Sequence, residues 1–518
     1  MIQLTDEQQN ILHDFLAWYD LKINAFAWSG KSSTLWELIQ HVPQKKILVL
    51  TFNRSIKDEL RKKFPSNSDV FTTHSFVLKY LKNRVKRKYI SNNKNIIGNI
   101  IDMFHLKYED AYLLCHLFTV YAHSDIRSLD FRYLMKAFNN NEEIKILFWQ
   151  TKLTFVEIIT YLLRIYSCIE QNDFPMTHEF YVKYFQLNIK DFLHHIHYDV
   201  VMLDEAQDTN EVTIDIFKQL SWQKVVVWDD HQSIYGWRNA IWAMDTFDYP
   251  RHYLSYSFRV NQDTAHKADF VLNHYKHENN IFKSFFPLWW KINWNSCIIT
   301  RTNVKIIYTV WNLDPNDTLL LVRSVDDVFQ TALHIWKIKA YYDSFDRSYL
   351  STIPSYLTKI IVIKATWDDF CLYVNDNLHD RELSSACNLV VKIPIYSAYK
   401  KCQDMLRRST DTSRFIATAH TIKGMEYDSV ILEDDFPNIS ELISSSLIKD
   451  KKLSFDDIKK LFLYHQWHPL MRPIIEEINL MYVSMTRAIK NLDIRSSAIN
   501  ELLSMNTDDF LHHIKTMP

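Results

Sequence analysis

AFAWSGKS at residues 25–32 and VVMLDEAQD at residues 200–208 decide how the rest of the chain is read. The first follows a short apolar strand, Ile23 to Ala27, and runs into a helix predicted from about Ser33 to His41. Such a strand–loop–helix junction presents successive backbone N–H groups and a helix N-terminus, which together cradle phosphates. Lys31 is then placed to reach the β- and γ-phosphates, and Ser32 to hold Mg2+. SGKS alone is a common string; its place after a strand gives it meaning. The second stretch is an apolar strand ending in Asp204-Glu205. One carboxylate at such an end can hold Mg2+ while the next takes a proton from an attacking water. Asp204 is therefore assigned to the metal and Glu205 to general-base work. Asp-Glu by itself would equally suit a helix-capping turn, but beside a phosphate loop it points to nucleotide hydrolysis.

On either side of these anchors, residues 11–23 read as a helix, Lys46–Phe52 as a buried-type strand, and residues 69–76 as a strand with its loop. From about 80 to 195 the pattern is mostly helical. Strands return at Asp199–Leu203 and Lys224–Val227. A second set lies at Ser296–Thr300, Leu319–Val322, Phe415–Ala419, Ser429–Leu432 and near Leu492–Ile494, with an irregular pattern over 335–405. Short apolar strands alternating with helices imply parallel sheets covered on both faces. The predicted class is α/β, with two parallel-sheet domains that each carry an inserted, mainly helical subdomain. The first sheet domain takes residues 1–80 and 196–255, with a helical insertion at 81–195. The second takes 256–334 and 406–518, with a small insertion at 335–405.

At 518 residues the chain exceeds what one core usually supports. Hydrophobic residues at 47% and charged residues at 23% are an ordinary globular balance. The net charge of -1 neither favours nor excludes a nucleic-acid partner, which needs positive charge concentrated in a groove rather than in the total. Cys115, Cys168, Cys297, Cys371, Cys387 and Cys402 lie far apart without a CxxC pair, as reduced thiols do. The polar MIQLTDEQQN start lacks a signal peptide's apolar stretch, and no run reaches the roughly 18 apolar residues of a membrane span. A cytoplasmic location without a membrane partner is expected.

DEAQD and VVVWDDHQSIYGWRNA resemble motifs II and III of superfamily 1 helicases of the UvrD/Rep type. The other family motifs follow in order: LTDEQQ at 4–9, LTFNRS at 50–55, TTHSF at 72–76, LSYSFR at 254–259, TAHTIKGMEYDSV at 418–430 and NLMYVSMTRA at 479–488. The set covers nearly the whole chain and looks closest to the F-box DNA helicase branch, with no F-box expected ahead of the first motif. The resemblance implies two RecA-like motor domains using ATP and Mg2+ to move 3′ to 5′ on single-stranded DNA and to open duplex junctions. Repair or recombination is the implied setting, and a protein loading partner is left unidentified.

By motif position, Gln8 would read adenine, and Gln232 would sense the γ-phosphate. Ala27, Trp28, Ser29, Gly30, Lys31, Ser32 and Ser33 would wrap the phosphates, while Gly424 and Glu426 would meet the ribose. Arg259 and Arg487, contributed by the second domain, would stabilise charge on the transferring phosphoryl group. Phe52, Tyr235 and Trp237 would stack on bases, with Asn53, Thr73, His74, Arg238 and His420 contacting phosphate, sugar or base edges. The short spacing from Arg259 to Thr418 implies a small second insertion. Lys82, Arg84, Lys86, Arg87 and Lys88 put five basic residues into the seven-residue span 82–88. They could meet duplex DNA or simply face solvent.

Glycine is scarce: 4 residues against 15 tryptophans, where about 7% glycine is usual. Members of the resembled family usually carry glycine where this chain has Trp28 and Trp228, and a glycine-rich turn around Trp289, Trp290 and Trp294; Trp237 belongs to its motif. A phosphate loop needs close backbone approach and often glycine-only dihedrals. Two readings stay open. Either the indoles are real, leaving a catalytically impaired, DNA-binding remodelling protein, or UGA codons for glycine stand written as tryptophan. An RNA-directed motor is a further alternative.

Overall fold

Thr5 opens the first element. Its hydroxyl accepts from Gln8 N–H at 3.3 Å, and Gln8 Oε1 accepts from Thr5 N–H at 3.1 Å, satisfying two donors that a helix start leaves orphaned. Helix α1 therefore spans Asp6–Leu16 rather than 11–23, and strand β1 begins at Leu21 (Leu21–Ala25). The Thr-x-x-Gln cap outweighs the apolar spacing that suggested a later start. The computed structural model describes residues 4–81, 96–171, 173–174, 176–220, 222–234, 246–285, 295–314, 319–354, 357–358, 360–361, 364–377, 381–408, 413–451, 453–464 and 468–516. The basic run 82–88, the aromatic and basic residues Tyr235, Trp237 and Arg238, and Trp289, Trp290 and Trp294 lie outside the described residues. The chain forms two units, Met1–Ser255 with Trp467–Arg472, and Tyr256–Gln466 with Pro473–Pro518.

In the first unit, β1, β2 (Ile47–Thr51), β3 (Ser68–Thr72), β4 (Val200–Leu203), β5 (Gln223–Trp228) and β6 (Arg251–Leu254) form one sheet in the order β3-β2-β4-β5-β1-β6. All its neighbours pair in parallel. The period of two along a strand divides two hydrophobic layers. Val49, Met202 and Val225 point into one layer with Ile11, Leu35 and Leu38, under α1 and α2 (Lys31–Gln40). Leu50, Leu203 and Val226 point into the other, which continues through Phe76, Leu117, Phe180 and Phe185 into the helical stretch between Ile96 and Leu193. Both faces are covered, so β2 and β4 are buried along their whole length. α3 (Arg54–Lys63) and α4 (Thr73–Leu81) follow β2 and β3. The edge strand β6 was not read from the sequence: RHYL mixes charged and apolar residues, and its pairing to β1 is a tertiary fact.

In the second unit, β7 (Tyr256–Ser257) and β8 (Lys283–Ser284) form a short ribbon. β9 (Ser296–Thr300), β10 (Leu320–Leu321), β11 (Arg414–Thr418), β12 (Tyr427–Leu432) and β13 (Ala488–Ile494) form a second parallel sheet in the order β10-β11-β9-β12-β13. The described part of 335–405, irregular to the eye, is mainly helical: Val325–Ser344, Trp367–Asn377, Arg381–Lys392 and Ile395–Arg408 pack together. Val328, Phe329, Ala332, Ile335, Ile338 and Tyr342 are buried at helical spacing. They share one core with Ile298 of β9 and Ile416 of β11, so the insertion rests on the second sheet. No helix among the described residues is long and apolar enough to cross a membrane.

Candidate nucleotide and nucleic-acid site

The loop after β1 turns sharply before α2. Ser29 N–H donates to Phe26 O at 3.3 Å, and Gly30 caps the helix in the left-handed region at φ +81°. Thr34 N–H and Oγ1 both return to Gly30 O, at 2.8 and 3.0 Å. Lys31 thus begins a helix whose amide end faces the loop, the geometry that attracts anions. Trp28 lies at φ +59°, where a Cβ costs about 1–2 kcal/mol that glycine avoids. Ala27 and Ser29 are buried, Ser32 half-buried and Ser33 exposed. Gln8 is pinned to this loop's helix, its Nε2 donating to Thr34 Oγ1 at 3.0 Å.

β4 and β5 deliver the acids. Glu205 is itself left-handed at φ +54°, and a short 3-10 turn, Ala206–Asp208, follows it. Backbone strain of this kind is characteristic of functional sites. Lys31 Nζ lies 3.3 and 3.4 Å from the two Glu205 carboxylate oxygens. Gln207 Nε2 donates to Glu205, and Gln207 Oε1 accepts from Asp229 N–H at 3.1 Å. Asp229 in turn accepts from Gln232 Nε2 at 2.6 Å, so Gln232 belongs to the same network.

Burial pushes the Asp204 carboxyl up to about 7, with the charge of Glu205 adding to it and Lys31 opposing. Burial likewise raises Asp229. For Lys31 burial works against the charge, but Glu205, Asp229 and Asp204 outweigh it and hold the ammonium above its ordinary range. Asp204 Oδ1 is buried with no hydrogen-bond partner among the described residues. A hard cation suits such a buried carboxylate oxygen. Mg2+ takes one or two carboxylates plus substrate phosphates, and among the described residues no cluster of three or more His, Cys, Asp or Glu could hold a metal unaided. Gln207, Asp229 and Thr34 were missed as site residues, although the first two stand inside the quoted DEAQD and WDDHQ strings. Trp228, the last residue of β5, is fully buried under Arg251, and its indole N–H has no acceptor among the described residues.

In the second unit two groups of charged residues hold the expected ones. Arg259 pairs with Glu426, and Gly424, left-handed at φ +86°, shapes the turn before it. Arg487 is buried, donating to Val483 O at 2.9 Å, Met425 O at 3.4 Å and Thr486 Oγ1 at 3.2 Å. Its carbonyl accepts from Tyr427 N–H at 3.0 Å, so this arginine braces the turn carrying Gly424 and Glu426. The second group forms at the ends of β9 and β11. Arg301 grips Glu477 with three contacts of 2.7–3.2 Å, while Asp435 accepts from the N–H groups of Arg301 and Thr302 at 2.8 Å. Burial and the nearby Arg301 push the His420 imidazole down to about 4 and keep it neutral. Arg301 and Glu477 were not singled out from the sequence.

Of the expected nucleic-acid contacts, Phe52 and Asn53 follow β2, and Thr73 and His74 follow β3, on the same strand ends as the nucleotide residues. Asn53 caps α3 by accepting from Ile56 N–H at 2.8 Å and is exposed. Phe52 is half-buried and Thr73 buried; His74 packs edge-on against Tyr181 at 5.7 Å.

Residues 4–245 match the UvrD/REP helicase N-terminal domain, and residues 396–498 match the UvrD-like helicase C-terminal domain. The chain is 26% identical to F-box DNA helicase protein 1 of Schizosaccharomyces pombe, a match covering 97% of this chain and 58% of that protein. It is 23% identical to F-box DNA helicase 1 of Gallus gallus, covering 98% and 50%. A probable DNA helicase II homolog of Mycoplasma genitalium is 22% identical over 45% of this chain and 37% of its own length. The chain thus spans little more than half the length of the two F-box helicases it matches.

Proposed function

This chain belongs to the UvrD/REP helicase family, and we propose that it is an ATP-driven motor that moves 3′ to 5′ along single-stranded DNA and separates duplexes in repair or recombination. The observation that carries this reading is the meeting of Lys31, Glu205, Asp229 and Gln232 in one network beside Asp204 at parallel strand ends. Lys31 would hold the phosphates. Ser32 and Asp204 would hold Mg2+, which supplies charge neutralisation on the nucleotide. Glu205 would accept the proton of the attacking water, while Gln232 links that event to the residues around it. Gln8 and Glu426 would orient the nucleoside. Arg259 and Arg487 would offset charge developing on the phosphoryl group. Phe52, Asn53, Thr73, His74 and His420 would contact the strand.

ATP hydrolysis measured without and with single-stranded DNA, together with strand separation on 3′- and 5′-tailed duplexes, tests this. Stimulation by DNA and opening of the 3′-tailed substrate are expected; opening of only the 5′-tailed one would reverse the polarity. An indole that is genuine at the left-handed position 28 would instead give a second reading, a DNA-binding remodelling protein with impaired hydrolysis. Hydrolysis that DNA leaves unchanged would select that reading, and stronger stimulation by RNA would select an RNA-directed motor.

A further inference from the structure

Two backbone positions in the first unit have the local geometry that glycine serves, and both carry tryptophan. Trp18 follows α1 at φ +68°. Its N–H donates to Phe15 O at 3.0 Å, and Tyr19 N–H reaches back to Asp14 O at 3.2 Å. That pair of bonds is the Schellman helix ending, whose left-handed residue is usually glycine because no Cβ then crowds the carbonyl. Trp28 is left-handed at φ +59° in the loop between β1 and α2, where a phosphate would need close approach to the backbone. The two sites arise from unrelated requirements, one a helix stop and the other an anion cradle.

Composition points the same way. Tryptophan is 15 of 518 residues, yet among the described residues it fills two of the six non-glycine positions with positive φ: Trp18, Trp28, His105, Glu205, His277 and Phe345. Pressure toward A and T in a gene would exchange GGN codons for those of serine, asparagine or lysine. It would not enrich tryptophan, whose ordinary codon UGG itself keeps two guanines. UGA, by contrast, is rich in A and U and differs from the glycine codon GGA by one base. We infer that the native polypeptide carries glycine at positions 18 and 28, both encoded by UGA codons that the source decodes as glycine.

The inference separates tryptophans by their surroundings. Trp336 lies in the helix Val325–Ser344, stacked on Tyr396 at 6.4 Å and edge-on to Tyr349 at 6.1 Å. Trp367 stacks on Phe370 at 5.8 Å. Neither has positive φ, and both keep tryptophan.

Peptide mass mapping of the protein purified from its native source, set against the codons of its gene, tests the inference. Fragment spectra of the tryptic peptide ending at Lys22 and of peptide 23–31 are expected to read glycine at 18 and 28, and those of peptide 324–337 tryptophan at 336. An indole mass at either 18 or 28, or a UGG codon at either, overturns it. Neither readout involves ATP or DNA, so its failure is distinct from a failure of the proposed motor activity.

Discussion

The carboxyl end of the first sheet and the arginine pairs of the second unit differ in how their charges are met. In the first unit Lys31 follows β1, Asp204 and Glu205 follow β4, and Asp229 and Gln232 follow β5. Three carboxyls act on one ammonium there, and Asp204 Oδ1 has no hydrogen-bond partner among the described residues. In the second unit Arg259 meets Glu426, Arg301 meets Glu477, and Arg487 is bonded to backbone carbonyls. The first end holds buried negative charge in excess of its nearest cation and gains from an added one. The second is already satisfied, so any anion it binds must exchange with bonds that exist. A site built to be filled and a site built to be rearranged respond to different perturbations.

The largest effect is expected at the carboxylates of the first unit. Glu205→Gln keeps size and hydrogen bonding but removes the base, and should lower kcat for ATP hydrolysis by about 10²–10⁴-fold while nucleotide binding persists. Steady-state hydrolysis beside equilibrium binding of a fluorescent nucleotide checks it; unchanged kcat would move the base elsewhere.

Next in size is the response to Mg2+. The Asp204 carboxyl stands at about 7 in the folded chain, above roughly 3.9 when unfolded. A folded value raised in this way favours the protonated fold at low pH, and that stability is lost as pH rises through about 7. A cation takes over the proton's place. Mg2+ should therefore raise Tm little at pH 5 and clearly at pH 8, by the equivalent of about 3 kcal/mol at a hundredfold excess over Kd. A Mg2+ effect that is the same at both pH values would contradict this account.

The arginine pairs of the second unit predict a smaller change. Glu477→Ala leaves Arg301 without its carboxylate and should cost about 2 kcal/mol, less than a fully buried pair because the Arg301 side chain keeps 23% exposure. The double variant with Arg301→Ala should lose less than the sum of the single losses, as denaturant unfolding would show. Strict additivity would mean that the pair contributes no coupling.

Much of this contrast was legible in the sequence, and unevenly so. The strands β2, β4 and β9 are buried on both faces and read as continuous apolar runs, so their carboxyl ends, and with them Asp204 and Glu205, could be placed from spacing alone. Gln207 and Asp229 lay inside the same strings but act on other side chains, and spacing carries no signal for that. Arg301 and Glu477 stand 176 positions apart, and only the fold brings them together. The helices over 335–405 were within reach, since Ile335, Ile338 and Tyr342 already follow helical spacing. The start of α1 was missed because a cap of two side chains, not apolar periodicity, fixes it.

The smallest effect sits at the opposite, amino end of the first sheet, where α1 ends. Removing the Trp18 side chain relieves a left-handed Cβ contact of about 1–2 kcal/mol. It also removes the ring that Lys45 overlies at 4.9 Å, a cation–π contact of about 0.5–1 kcal/mol at an exposed position. Trp18→Gly should thus stabilise the recombinant chain by about 1 kcal/mol or less. Trp18→Ala keeps the Cβ in the left-handed region, loses the same ring, and should destabilise it. The difference between the two variants in denaturant unfolding isolates the backbone contribution from the side chain's. Equal stabilities would mean that the helix end relaxes out of the left-handed region once the indole is gone, and that its geometry imposes no demand for glycine.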